Sequence, residues 1–111
     1  MAATVKVLIP SKLVENAQTT QYTPVLCSAV IDKFTVTNTS AAPAAFSCNL
    51  VTAGGSAGAA NLLVKAQTLI AGEVYLCPEL IGHTLAVGDS ISTLSSVASA
   101  LVVRASGREI T

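Results

Sequence analysis

Between Ser28 and Asn38 the chain alternates with a period of two: Val30, Phe34 and Val36 share one face and Lys33, Thr35 and Thr37 the other, as in a half-buried strand. Asp32 falls on the apolar face and Ile31 on the polar one. That slip predicts a bulge near Asp32, or burial of the early part on both faces. A first strand is expected over 4–9, broken by Pro10, Ser11 and Lys12. Over 13–23 the alternation is almost wholly polar, with Gln18, Thr20 and Tyr22 against Thr19, Gln21 and Thr23. It reads as an edge strand that Pro24 ends or bulges.

After a turn over 38–43, Phe46, Cys48 and Leu50 are expected inward and Ser47 and Asn49 outward. The stretch 53–61 is rich in Gly, Ala and Ser and reads as a flexible loop at one end of the domain. It lacks the Gly-Lys-Ser/Thr ending of a phosphate loop and the spaced glycines of a dinucleotide fingerprint. Two runs then end in a glycine followed by an acid, Ala71-Gly72-Glu73 and Val87-Gly88-Asp89. Glycine supplies the positive φ of a tight reversal and the acid caps the corner, so 62–70 and 73–78 are expected to form a hairpin. A short strand over 90–94, a Ser95-Ser96 turn and a last strand over 100–110 follow; in the latter Leu101, Val103 and Ala105 oppose Val102, Arg104 and Ser106. No capped helical run of 10 residues is evident. About eight short strands predict an all-β, single-domain antiparallel β-sandwich, jelly-roll or immunoglobulin-like, with 1–23 as an N-terminal arm and polar edge strand and 24–111 as the body.

Length fits one domain: 111 residues, 51% hydrophobic but only 4% aromatic, without tryptophan. The core must come from Val, Leu, Ile and Ala. Charged residues are 11%, against about 25% in ordinary domains. Six basic residues balance six acidic ones, which removes the electrostatic case for nucleic acid or anionic lipid as partner. A neutral surface of Ser, Thr, Asn and Ala suits either a soluble monomer or a permanent place in an assembly, and the second is favoured. No basic leader precedes a sustained apolar stretch, so a signal peptide is not expected, and nothing approaches the roughly 18 apolar residues of a membrane span. Cys27, Cys48 and Cys77 are odd in number and far apart, which predicts buried free thiols and a cytoplasmic site of synthesis rather than a disulfide frame or a paired-cysteine zinc site.

Chemistry-bearing constellations are sparse. His83 is the single histidine and no Gly-x-Ser-x-Gly elbow accompanies it. A carboxylate pair drawn from Asp32, Glu73, Glu79 and Asp89 would lack the aromatic platforms of a sugar cleft, and no Asp-x-Asp-x-Asp run suggests calcium. No catalytic residue, cofactor or metal is therefore expected. Arg104 and Arg108 lie four apart on one strand and so on one face, where they could together meet a neighbouring subunit's carboxylates or simply be solvated edge charges. With Gly54, Gly55, Ser56 and Gly58, whose small side chains permit close backbone approach, they form the candidate subunit interface.

The succession Phe34-Thr35-Val36-Thr37-Asn38-Thr39-Ser40, Asn49-Leu50-Val51 leading into Gly54-Gly55-Ser56-Ala57-Gly58, Ala71-Gly72-Glu73 and Leu85-Ala86-Val87-Gly88-Asp89-Ser90-Ile91 resembles small β-sandwich virion proteins of tailed bacteriophages, over roughly residues 25–111. The resemblance lies in strand edges and turns, so it carries over no binding residue. It implies a non-enzymatic virion protein made in the host cytoplasm, either a capsid decoration or cement protein bound to the major capsid protein as a symmetric oligomer, a trimer being expected, or a tail- or fibre-associated module that contacts tail proteins or the host surface. On this reading residues 1–23 are engaged between chains.

Overall fold

The computed structural model describes residues 2–111. It contains nine strands, β1 (Ala3–Leu13), β2 (Thr19–Tyr22), β3 (Ser28–Asn38), β4 (Ala44–Val51), β5 (Leu62–Leu69), β6 (Val74–Tyr75), β7 (Thr84–Leu85), β8 (Ser90–Ser95) and β9 (Leu101–Ile110), with one 3-10 turn at Ala59–Asn61. They build two antiparallel sheets. The larger has the order β1-β9-β3, with β6 and β7 at opposite ends of the far edge of β3; the smaller has the order β2-β8-β4-β5. If β6 and β7 share one position, each sheet has four, and the chain changes sheet at every connection except β4–β5 and β6–β7. That is the jelly-roll order.

The alternation of β3 places Phe34 and Val36 in the core, where the Phe34 ring meets Phe46 of the opposite sheet at 6.1 Å between centroids. Around this pair pack Ile9, Ile31, Val64, Leu69, Leu80, Leu85, Ile91, Leu101 and Val103, an aliphatic core as the composition requires. The register of β3 against β9 slips between Ile31 and Lys33. This bulge buries Ile31 and turns Asp32 out to solvent, which accounts for the out-of-phase pair.

Both glycine-acid corners are turns, but neither makes a hairpin. Gly72 at φ +79° lets the Glu73 N–H donate to the Ile70 carbonyl (3.0 Å), while the Glu73 carboxylate accepts from the Ile70 N–H (2.9 Å). Gly88 at φ +87° does the same for Asp89 and Ala86. Positive φ at the third turn position marks a type II geometry, which splays the flanking strands instead of matching their twist. Each corner therefore carries the chain from one sheet to the other: β5 pairs with β4 and β6 with β3, and β7 pairs with β3 while β8 lies between β2 and β4.

Pro10 does not end the first strand. β1 continues to Leu13 with register shifts after Val7 and Ile9, and the proline is tolerated because β1 has a neighbour on one side only. The polar segment shortens to β2, since Val14 leaves the alternation to enter the core and its N–H donates to the Leu101 carbonyl at 2.8 Å. Residues 3–22 thus supply an edge strand to each sheet, paired within the same chain, and Leu8, Ile9 and Val14 are buried there.

Candidate subunit interface

The outer face of the larger sheet is built from the residues of β1, β9 and β3 that alternate away from the core. Cross-strand pairing sets Val102 beside Thr37, Arg104 beside Thr35 and Ser106 beside Lys33. Together with Ser11 of β1 these line an open groove of about 400 Å³. Val5, 85% exposed, with Val7, Leu13 and Val74, adds apolar surface on β1 and β6.

Arg104 and Arg108 do project from one face of β9, but the structure does not leave them as a pair. Arg108 is held in a two-bonded fork on Asp32, Nε to Oδ2 at 2.9 Å and Nη2 to Oδ1 at 3.0 Å. The fork holds the Asp32 carboxyl below its usual range and raises Arg108. Because the bulge that turned Asp32 outward created this contact, periodicity alone could not reveal it. Arg104 keeps only a 3.3 Å hydrogen bond to the Ser11 hydroxyl, and its companion in the groove is Lys33.

The glycine-rich segment lies over the other sheet. Asn49 points outward as its alternation predicts, yet it is only 3% exposed, because it sits beneath the loop. Its Nδ2 donates to the Gly58 carbonyl (3.0 Å) and to Asn61 Oδ1 (2.7 Å), and its Oδ1 accepts from Gln18, which also donates to Ser92. Asn61 in turn donates to the Ser56 carbonyl and accepts from the Gly58 N–H. A chain of three amides therefore pins the loop down, with a smaller hollow of about 230 Å³ between Gln18, Asn49, Gly58 and Leu94. Gly54 (φ +81°) completes a turn closed by the Gly55 N–H on the Thr52 carbonyl, and the Ala53 N–H is fixed by Asp89. The loop glycines thus lie on the face opposite Arg104, so the two halves of the candidate interface are not one surface.

The remaining ionisable groups serve the frame. Tyr22 donates to Glu109, which Lys6 approaches at 3.6 Å, and these contacts hold the Glu109 carboxyl below its usual range. Lys12 bridges Glu15 and Gln21 between the two edge strands, and the Lys12 and Gln21 bonds likewise lower Glu15. Tyr75 donates to Glu79. The three cysteines are free and buried; burial pushes the Cys77 thiol up to about 12 and raises Cys48 further. His83 is exposed, and its main chain, not its ring, closes the turn onto Leu80 and Ile31. Among the described residues no three His, Cys, Asp or Glu side chains gather as a metal site, and no helix is long and apolar enough to cross a membrane. No family model, curated protein or solved structure matches the chain.

Proposed function

We propose that this chain is a non-enzymatic structural protein of a bacteriophage virion, a decoration or cement protein that binds the major capsid protein as a symmetric oligomer, a trimer, and stabilises the shell by mass action. The observation that carries the reading is the use made of the chemistry-bearing side chains. All six carboxylates are engaged by partners in the same chain, and both tyrosine hydroxyls donate to two of them. What is left for other molecules is a broad β face of hydroxyls and exposed valines whose only unpaired charges, among the described residues, are Lys33 and Arg104, a surface suited to being covered by protein. The jelly-roll order, which viral capsid domains share with lectins and cupins, supports the reading by analogy of fold alone.

A second reading, a tail- or fibre-associated module, is favoured by the apolar tip beside the β7–β8 corner. There Val25 and Leu26 are 73% and 86% exposed, Leu26 at φ +58°, and the Pro24 carbonyl accepts from the Gly88 N–H. Cryo-electron microscopy of purified particles tests both. Density for the chain over junctions between capsomers is the expected result; density on the tail alone would refute decoration and support the second reading. Light scattering on the isolated protein reads the oligomer, and a strict monomer at particle-saturating concentration would remove the trimer.

A further inference from the structure

We infer that the groove on the outer face of the larger sheet is a binding site for an extended acidic peptide segment of another protein, with Lys33 and Arg104 as the groups that receive its carboxylates. The argument begins from a census of charge. Lys6, Lys12 and Arg108 each have a carboxylate partner within 4 Å; among the described residues Lys33, Lys65 and Arg104 have none. Two of these three line one groove. A chain with no net charge thus carries a local excess of two positive charges, beside the hydroxyls of Ser11, Thr35, Thr37 and Ser106.

The spacing fits a strand-like ligand. Thr35 pairs with Arg104 and Lys33 with Ser106, so the two cations are diagonal neighbours, roughly 7–8 Å apart at their Cα atoms. Alternate residues of an extended peptide are about 6.8 Å apart, so carboxylates two positions apart on one face reach both cations at once. Arginine's planar fork takes one of them bidentately, and the flanking hydroxyls satisfy remaining oxygens. Val102 in the floor and the exposed Val7 and Leu13 on β1 suit the apolar residues of such a segment.

Three alternatives are less compatible with the groove. A second copy of this chain has no unpartnered side-chain carboxylate to offer, since each of its six already accepts a hydrogen bond within its own chain and would have to share or give up that contact. An acidic sugar polymer would find no stacking platform, because Phe34 and Phe46 are in the core and both tyrosines lie outside the groove. Nucleic acid would want basic groups continued along a track, whereas the next cation on β9, Arg108, is neutralised by Asp32. The groove's charge stands by itself; only the placing of the acidic segment on a shell or tail protein rests on the function proposed above.

The test uses the full chain and a fluorescein-labelled peptide of alternating glutamate and serine, followed by anisotropy at low and at physiological salt, with amide shifts of the isotope-labelled protein locating the contact. Expected are salt-sensitive binding, shifts centred on Ser11, Lys33, Thr35, Arg104 and Ser106, about tenfold weakening in the Lys33→Gln/Arg104→Gln variant, and none in Lys65→Gln. All three side chains are exposed, so the variants fold, which a thermal melt verifies. Absence of binding at millimolar peptide, equal loss in Lys65→Gln, or shifts elsewhere would overturn the assignment, as would tighter binding of an oligogalacturonate or of polyphosphate than of the peptide. Peptide binding by a protein that particle maps do not contain would keep the groove and remove the virion.

Discussion

Replacing Gly107 by alanine should cripple the fold, although the change adds one methyl group at a position with no unusual φ. Gly107 lies in the middle of β9, between Lys6 of β1 and Ile31 of β3 and next to the bulge at Asp32. A Cβ there would stand 1.9 Å from the Val30 carbonyl oxygen and 3.0 Å from both the Val30 carbonyl carbon and Leu8 Cδ1. To reach even 3.0 Å from that oxygen the backbones must part by about 1.1 Å, which stretches a ladder bond of about 2.9 Å to about 4 Å, beyond hydrogen-bonding range. Two neighbouring ladder bonds at the centre of the sheet are then lost or left without partners, at about 1–2 kcal/mol each, and local packing loosens besides. A loss of about 3–5 kcal/mol follows, a large part of the 5–15 kcal/mol that holds a typical domain. Urea unfolding followed by far-UV circular dichroism reads it, tryptophan being absent, as a midpoint lowered by about 2–3 M at a slope near 1.5 kcal/mol/M. Gly58→Ala is the control: its φ of −166° is ordinary extended backbone and nothing lies within 4 Å of the added carbon, so a change under about 0.5 kcal/mol is expected. A Gly107→Ala midpoint indistinguishable from that control would refute the argument from close backbone approach.

Asn38 is fully buried, donates to the Ala42 and Leu69 carbonyls and accepts from the Ser40 N–H and hydroxyl, so Asn38→Ala should cost about 3 kcal/mol in thermal melts, and Asn38→Asp, which turns a carboxylate on two carbonyls, at least as much. Ala66, exposed and at φ +47° inside β5, should gain about 0.5–1 kcal/mol on change to glycine, because the left-handed conformation no longer strains a Cβ; a loss in the same melt would refute this. The raised thiols of Cys77 and Cys48 favour the protonated form in the folded state, so their contribution is complete below the ordinary thiol range near 8.5 and is lost as pH climbs toward about 12. Urea midpoints should therefore fall with pH above about 8.5, less steeply in a Cys48→Ala/Cys77→Ala variant; equal slopes in the two proteins would assign the alkaline loss elsewhere.

Strand identity was legible wherever a strand has one wet and one dry face. The bounds of β3 and the inward set of β9 follow from alternation, and the Asp32 slip announced a real bulge. Pairing was not legible, because among the described residues β4–β5 is the only ladder between consecutive strands; every other joins segments far apart in the chain. A turn signal is local, and a type II corner leading into the other sheet has the same glycine and acid as a hairpin corner. Gly107 carries no local signal for a similar reason: it lies between Ser106 and Arg108 without a turn neighbour, and what requires it is the approach of Val30 from 77 residues away, with Leu8 beside it. Asn49 reads as a solvated strand residue until Gln18 and the glycine-rich loop close over it.

Charge shows the same division between what a sequence contains and what a fold does with it. Composition records six positive and six negative groups and predicts no electrostatic preference at long range. At contact range the cancellation is uneven. Five of the six acids are placed where they close a corner or tie strands together, Glu73 and Asp89 at the type II turns, Glu15 between β1 and β2, Asp32 between β3 and β9 and Glu109 between the sheets at Tyr22, while Glu79 accepts from the Tyr75 hydroxyl. Once the acids are fixed by the needs of the turns and edges, the cations left over are fixed too, and the strand register brings two of them into one hydroxyl-lined groove. Reversing one of those cations with Arg104→Glu is therefore expected to disturb partner binding far more than folding, whereas removing Glu73 or Asp89 should do the opposite.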